Sequence, residues 1–138
     1  MTVELVPETV IDERPHWTLA VNRNQNLLGK CMVVLRRPCT AVVELERVEW
    51  TDLHTELARL IPALDRLFGP DQVNLAFLMN LDAQVHLHVI PRYATEREWR
   101  GRRFTDPHWG SSFGPEQEVL DVADLAALTD EIRGALHA

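Results

Sequence analysis

Between Trp17 and Val21, and again over residues 30–35, apolar and β-branched side chains crowd together, while Asn22, Arg23, Asn24, Gln25 and Asn26 between them are turn-forming. The pattern predicts a hairpin with a long tip. Arg36, Arg37 and Pro38 end its second strand, and residues 41–45 suggest another short extended piece. From Leu53 onward, Leu57, Leu60, Ile61, Leu64, Leu67 and Phe68 recur at three- and four-residue steps, forming one apolar stripe of an amphipathic helix. Thr51 or Asp52 can accept from its first-turn amides, and Gly69 with Pro70 supplies a left-handed cap and a stop. Residues 73–79 are mostly apolar and residues 83–93 alternate, which predicts two strands joined by a tight reversal at Asn80, Leu81 and Asp82. Gly, Pro and Trp between residues 101 and 115 read as loop. Leu125, Leu128, Ile132 and Leu136 predict a closing helix that begins near Val122. No repeat, low-complexity tract or Gly/Ser linker interrupts the chain, so residues 1–138 are expected to form one domain.

Composition narrows this picture. At 138 residues the chain has the length of one domain, and with 46% hydrophobic and 25% charged residues it should build a core without staples. That excludes a multi-domain enzyme or a large barrel. No apolar run is long enough to span a membrane, and the early acids Glu4, Glu8, Asp12 and Glu13 are unlike a signal peptide, so a cytoplasmic protein without membrane partners is expected. The net charge of −7 disfavours polymeric nucleic acid as a partner, because phosphate neutralisation needs a cationic surface. The sum hides a local feature. Arg92, Arg97, Arg100, Arg102 and Arg103 lie close together, whereas the chain has a single lysine, Lys30. Cys31 and Cys39 lack zinc-ligand spacing and read as buried, inert thiols.

The chemistry gathers on the predicted strand 83–93. Alternation sends Val85, Leu87 and Val89 to one face and Gln84, His86 and His88 to the other, with successive positions about 7 Å apart. A half-exposed strand with polar residues outward is the simplest reading. Two chemistries compete with it. Two imidazoles could hold zinc, but a catalytic site needs a third protein ligand, and His16, His54, His108 and His137 are scattered. Alternatively, His86 is a nucleophile whose neutral ring attacks phosphorus through one nitrogen while the other donates to a fixed acceptor, with His88 and Gln84 holding phosphate oxygens. Residues Gly110, Ser112 and Gly114 fit the spacing of a hydrolase nucleophile elbow, yet Pro107 before them and Pro115 after them deny the strand and helix that elbow requires. Trp109 in that loop could stack on a base or sugar.

The run from Gln84 through Pro91 and Arg92 resembles the signature of the histidine triad (HIT) proteins, in particular the branch that continues into a Pro-Arg dipeptide. Val21, Asn22 and Arg23, followed by the stretch Leu28 to Val34, are similar to that family's upstream hairpin. The resemblance covers about residues 15–93, leaving a C-terminal loop and helix over 94–138. It implies an α+β fold with an antiparallel sheet of about five strands, one long helix and a C-terminal helix, paired into a homodimer. It also implies nucleotidyl hydrolysis or transfer at the α-phosphate of a nucleotide derivative. By position, His86 would form the nucleotidyl-histidine intermediate, His88 would contact the phosphate, Asn22 would bind the ribose hydroxyls and Asn80 would face the phosphate. No metal is required for the chemical step, and Mg2+ would come only with the substrate phosphates.

The chain departs from the family pattern at two places. Gln84 replaces the first histidine of the triad, and Lys30 stands where a histidine usually follows the hairpin glycine, the two being neighbours in the family. The carbonyl of residue 84 remains as the acceptor for the second ring nitrogen of His86. Dinucleoside polyphosphates are the favoured substrates; the arginines after the motif read most simply as a solvated surface run, and in the alternative Arg92 reaches the further phosphates as a bidentate fork. Purine phosphoramidates are the main rival. A nucleotide-binding module with little turnover is the reading from another class.

Overall fold

The computed structural model describes residues 5–137, so residues 1–4 and 138 of the expected domain lie outside it. Seven strands and two helices follow in the order β1 (Val10–Glu13), β2 (Trp17–Val21), β3 (Cys31–Leu35), α1 (Arg47–Phe68), β4 (Gln72–Ala76), β5 (His86–Arg92), β6 (Arg97–Trp99), β7 (Arg102–Phe104) and α2 (Val122–Leu136). The first five strands form one antiparallel sheet in the order β1-β2-β3-β5-β4, which is the α+β arrangement expected. β1 adds an edge ahead of residue 15, where the resemblance begins.

One sheet face builds the core. Trp17, Leu19 and Val21 of β2, Cys31, Val33 and Leu35 of β3, and Leu87 and Val89 of β5 are buried together with Leu53, Leu60 and Leu64 of α1 and Leu125, Leu128 and Ile132 of α2. Cys31 and Cys39 are both free and buried. Burial pushes the Cys31 thiol far up, so it stays protonated. The opposite face carries Met32 and Val34 of β3 beside His88 and His86 of β5 in register.

The long helix differs from expectation at its start. It begins at Arg47, ahead of Thr51 and Asp52, with Glu46 as its N-cap. The signal is Glu49, whose buried carboxylate accepts the Glu46 N–H at 2.7 Å and the Arg37 guanidinium at 2.7 and 2.8 Å. Its far end ends as expected, on Gly69 with φ 57° and its N–H on the Asp65 carbonyl.

Three further expectations give way. Residues 41–45 contain a 3-10 turn, Val42–Glu44, and no strand. The stretch 101–115 opens on β7, which pairs back onto β6 in a hairpin turned on Arg100 and Gly101, both at positive φ. Trp99 and Phe104 bury its inner side, and Trp99 Nε1 donates to Glu131 of α2. The join between β4 and β5 is no tight reversal, because β4 stops at Ala76 and residues 77–85 run outside any strand.

Candidate active site

That early stop of β4 makes the site. Ala76 is the register partner of His88, so His86, two residues earlier on β5, has no β4 residue beside it. The chain instead swings outward through Met79, at φ 43°, and returns to β5 at Gln84. A cleft of about 430 Å³ results. His86, His88 and Ile90 form its floor, Leu78 to Asp82 one wall, Asn22, Asn24 and Lys30 of the hairpin tip a second, and Phe113 to Gln117 a third.

The two imidazoles are set differently. His86 is buried, and its Nδ1 lies 2.7 Å from the Gln84 carbonyl oxygen. A carbonyl only accepts, so Nδ1 carries the ring proton and Nε2 holds the lone pair. His88 packs edge-on against it, with ring centroids 4.9 Å apart. Burial first, then the charges of His86 and Lys30, push the His88 pKa down to about 4, leaving it neutral near pH 7. Lys30 is also depressed by burial, to about 8, and its Nζ donates to Asn26 Oδ1 at 2.7 Å. Among the described residues lining the cleft it is the one ammonium, and Asp82 and Glu116 line the cleft with it.

Of the residues singled out from sequence, Asn22, Lys30, Asn80, His86 and His88 meet at this cleft. Asn22 also shapes the hairpin tip, its Oδ1 accepting the Asn24 N–H at 2.9 Å. Gln84 and Arg92 do not reach it with their side chains. The Gln84 amide is buried against the chain beyond β3, where Nε2 donates to the Leu35 and Arg37 carbonyls, each at 2.8 Å, and Oε1 accepts the Cys39 N–H at 3.1 Å. It therefore staples β3 to β5, and only its main-chain carbonyl serves the site. Lys30 and Gln84 are no neighbours, because they sit at opposite ends of β3.

Arg92 does start on the histidine face, but it is buried in a lock. Its guanidinium forks onto Asp106 at 2.6 and 3.1 Å and donates to Asn74 Oδ1 and to the Ser111 and His108 carbonyls. All five donors are thereby engaged, which leaves none for a substrate phosphate. The other arginines of the run are engaged too. Arg97 donates to the Phe68 and Gly69 carbonyls at the end of α1, Arg100 and Arg102 pair with Asp124, and Arg103 lies 3.8 Å from Glu96.

Sequence reasoning missed Asn24 and residues 113–117. Asn24 ties that segment down, donating to the Glu116 carbonyl and accepting the Glu118 N–H. The Gly/Ser/Pro content marked a loop, but the aromatic ring in the cleft is Phe113, while Trp109 lines a separate depression beside Arg92. Ser112 is exposed and stands before no helix. Among the described residues no three His, Cys, Asp or Glu side chains stand together as a metal-binding group. No described helix is long and apolar enough to cross a membrane.

Comparison with known proteins adds an independent line. No curated protein matches the chain. Among solved structures, a histidine triad protein from Bradyrhizobium japonicum is 25% identical, with 99% of each chain covered and a TM-score of 0.70. A histidine triad protein from Marinobacter aquaeolei VT8 is 23% identical over 93% of this chain and 88% of its own, with a TM-score of 0.70. The diadenosine triphosphate hydrolase of Plasmodium falciparum, in complex with cyclomarin A, shares the fold at 14% identity, 98% and 80% coverage and a TM-score of 0.74. The HIT domain family matches residues 4–95, the span that holds the five-stranded sheet, α1 and both histidines of the cleft, and the chain belongs to that family.

Proposed function

We propose that the protein hydrolyses or transfers a nucleotidyl group, with His86 attacking the α-phosphorus of a nucleotide derivative through Nε2. The observation that carries this reading is the 2.7 Å contact between His86 Nδ1 and the Gln84 carbonyl, which leaves the nucleophilic lone pair on the other ring nitrogen. His88, neutral, donates one N–H to a phosphate oxygen. Lys30 supplies the positive charge, Asn22 and Asn80 supply amides for ribose and phosphate, and Leu78, Leu81 and Phe113 offer apolar surface to a base. A Mg2+ ion would enter only on the substrate phosphates.

Dinucleoside polyphosphates remain the first substrates to try, from the resemblance of the Pro-Arg continuation and from the hydrolase of similar fold. Arg92 gives that choice no support, since its donors are already used. A nucleotide-binding module with little turnover is the competing reading, favoured by the single ammonium in the cleft and by the diversion of Gln84. Steady-state turnover of dinucleoside polyphosphates and nucleotidyl amides by wild type and His86→Asn separates them. Turnover that disappears with His86 supports the enzyme. Wild type that binds nucleoside monophosphate without turning over any such substrate supports the module.

We also propose a homodimer paired through β4. This strand stands at the sheet edge, and Leu75, Leu78 and Trp50 around it are partly exposed, a template for a second copy. Light scattering should give twice the mass of 15.8 kDa, and Leu75→Lys should return it to the monomer value.

A further inference from the structure

Cleaving a phosphorus–oxygen or phosphorus–nitrogen bond requires a proton for the departing group unless that group is already a stable anion. The cleft offers few sources. The amides of Asn22, Asn24, Asn80 and Gln117 do not ionise. Asp82 is engaged by the main chain, its Oδ1 accepting the Gln84 N–H at 3.1 Å. Glu116 is held by His108, which keeps it below the usual carboxylate range. The ring proton of His86 is tied to the Gln84 carbonyl, and His88 is neutral near pH 7. Lys30 is left. Its ammonium lines the same cleft as both imidazoles, and Asn26 Oδ1 accepts one of its three protons at 2.7 Å, orienting the others.

We propose that Lys30 is the general acid of this reaction: its ammonium protonates the group leaving the α-phosphorus, and the resulting amine takes a proton from the water that cleaves the nucleotidyl-His86 bond. The proposal rests on His86 as nucleophile. In the first step the Nε2 lone pair forms the bond to phosphorus, the bond to the leaving group breaks, and that group departs with a proton from Lys30 Nζ. In the second step water adds to phosphorus, its proton passes to the Lys30 amine, and the phosphorus–nitrogen bond breaks, returning the pair to Nε2. Nothing but water and substrate is consumed.

The surroundings of Lys30 suit this role. His86 and His88 of β5 line the same cleft from the floor, Asn26 holds it from the hairpin tip, Glu116 and Asp82 line the other walls, and the buried, protonated Cys31 follows it in the chain. Burial lowers its pKa to about 8, so near pH 7 it is mostly charged yet gives up its proton far more readily than an exposed lysine. A second amine of this kind is absent, because Lys30 is the only lysine of the chain.

Two substrates with the same purine nucleoside 5′-phosphate test the role, one an amide of a simple alkylamine and the other a nitrophenyl ester. The amine cannot leave without a proton, whereas nitrophenolate can. Lys30→Met should lower kcat on the amide about 10²-fold or more, in the range of general acid catalysis, and by at least tenfold less on the ester. Wild-type kcat on the amide should fall as pH rises through about 8, since the acid must be protonated. Lys30→His should restore part of the activity and move that limb to lower pH, towards the ordinary histidine value of about 6.5. Equal losses on both substrates, or an alkaline limb that stays in place in Lys30→His, would overturn the proposal and leave Lys30 as a phosphate-binding charge. Full turnover by His86→Asn would instead overturn the nucleophile on which it rests, so the two failures are distinguishable.

Discussion

His86 and Arg92 project from the same face of β5, yet the two ends of that face are put to opposite uses. At the His86 end β4 has already stopped, and the neighbouring space is open to a ligand. At the Arg92 end β4 is present, with Gln72 in register, and the guanidinium is closed over by Asp106, Asn74 and the 106–111 loop. A few residues of strand thus separate a polar group left for chemistry from one consumed by structure. Alternation along a strand assigns a face, but which half of the face stays open depends on where the neighbouring strand ends.

The sharpest way to break this comparison is to exchange the consequences of mutating its two ends. His86→Asn should lower kcat by at least about 10⁴-fold, the scale seen when a covalent nucleophile is removed, while changing the denaturation midpoint little. Arg92→Met should do the reverse, destabilising the fold by about 3–5 kcal/mol in urea or guanidinium unfolding, because Asp106 is left as a buried, unpaired charge. A stable Arg92→Met that had lost polyphosphate affinity would return Arg92 to the binding site.

Gln84 sits between these extremes. Its carbonyl serves His86 while its side chain serves the fold, so Gln84→Ala should cost about 2 kcal/mol through the orphaned Cys39 N–H and the Leu35 and Arg37 carbonyls. The kcat of the folded fraction should fall far less than in His86→Asn. Thermal melts and active-site titration on the same sample measure both.

The remaining expected effect is a pH dependence. His88 has an ordinary pKa of about 6.5 when unfolded and about 4 when folded, so the unfolded chain binds its proton first. Its neutral burial favours the fold fully above pH 6.5, and that contribution is lost as pH falls towards 4. His88→Asn should flatten the stability profile between those values, and an unchanged slope would place the charge elsewhere.

Much of this was readable before the structure. Periodicity located β2, β3, the body of α1 and α2, because each buries a continuous apolar stripe. The motif at residues 84–92 located both imidazoles and the carbonyl that orients one of them. What escaped depended on partners far along the chain. Glu49 lengthens α1 only because Arg37 reaches its carboxylate, and a three-residue strand such as β6 carries too little pattern to register beside its turn. The five arginines left a surface run and a phosphate site both open, because their acidic partners, Asp106 and Asp124 among them, lie elsewhere in the sequence. Gln84 and Lys30 looked like a pair by analogy, and the register of β3 with β5 separates them.

The central claim is that His86 Nε2 bonds to the α-phosphorus during turnover. Rapid mixing with a nucleoside polyphosphate labelled at the α-phosphate, followed by an alkaline quench and peptide mapping by mass spectrometry, tests it directly. The expected result is a nucleoside monophosphate adduct on His86, lost on acid treatment and absent from His86→Asn. Turnover that proceeds with no label on His86 at any time point, or label carried by His88, would contradict it.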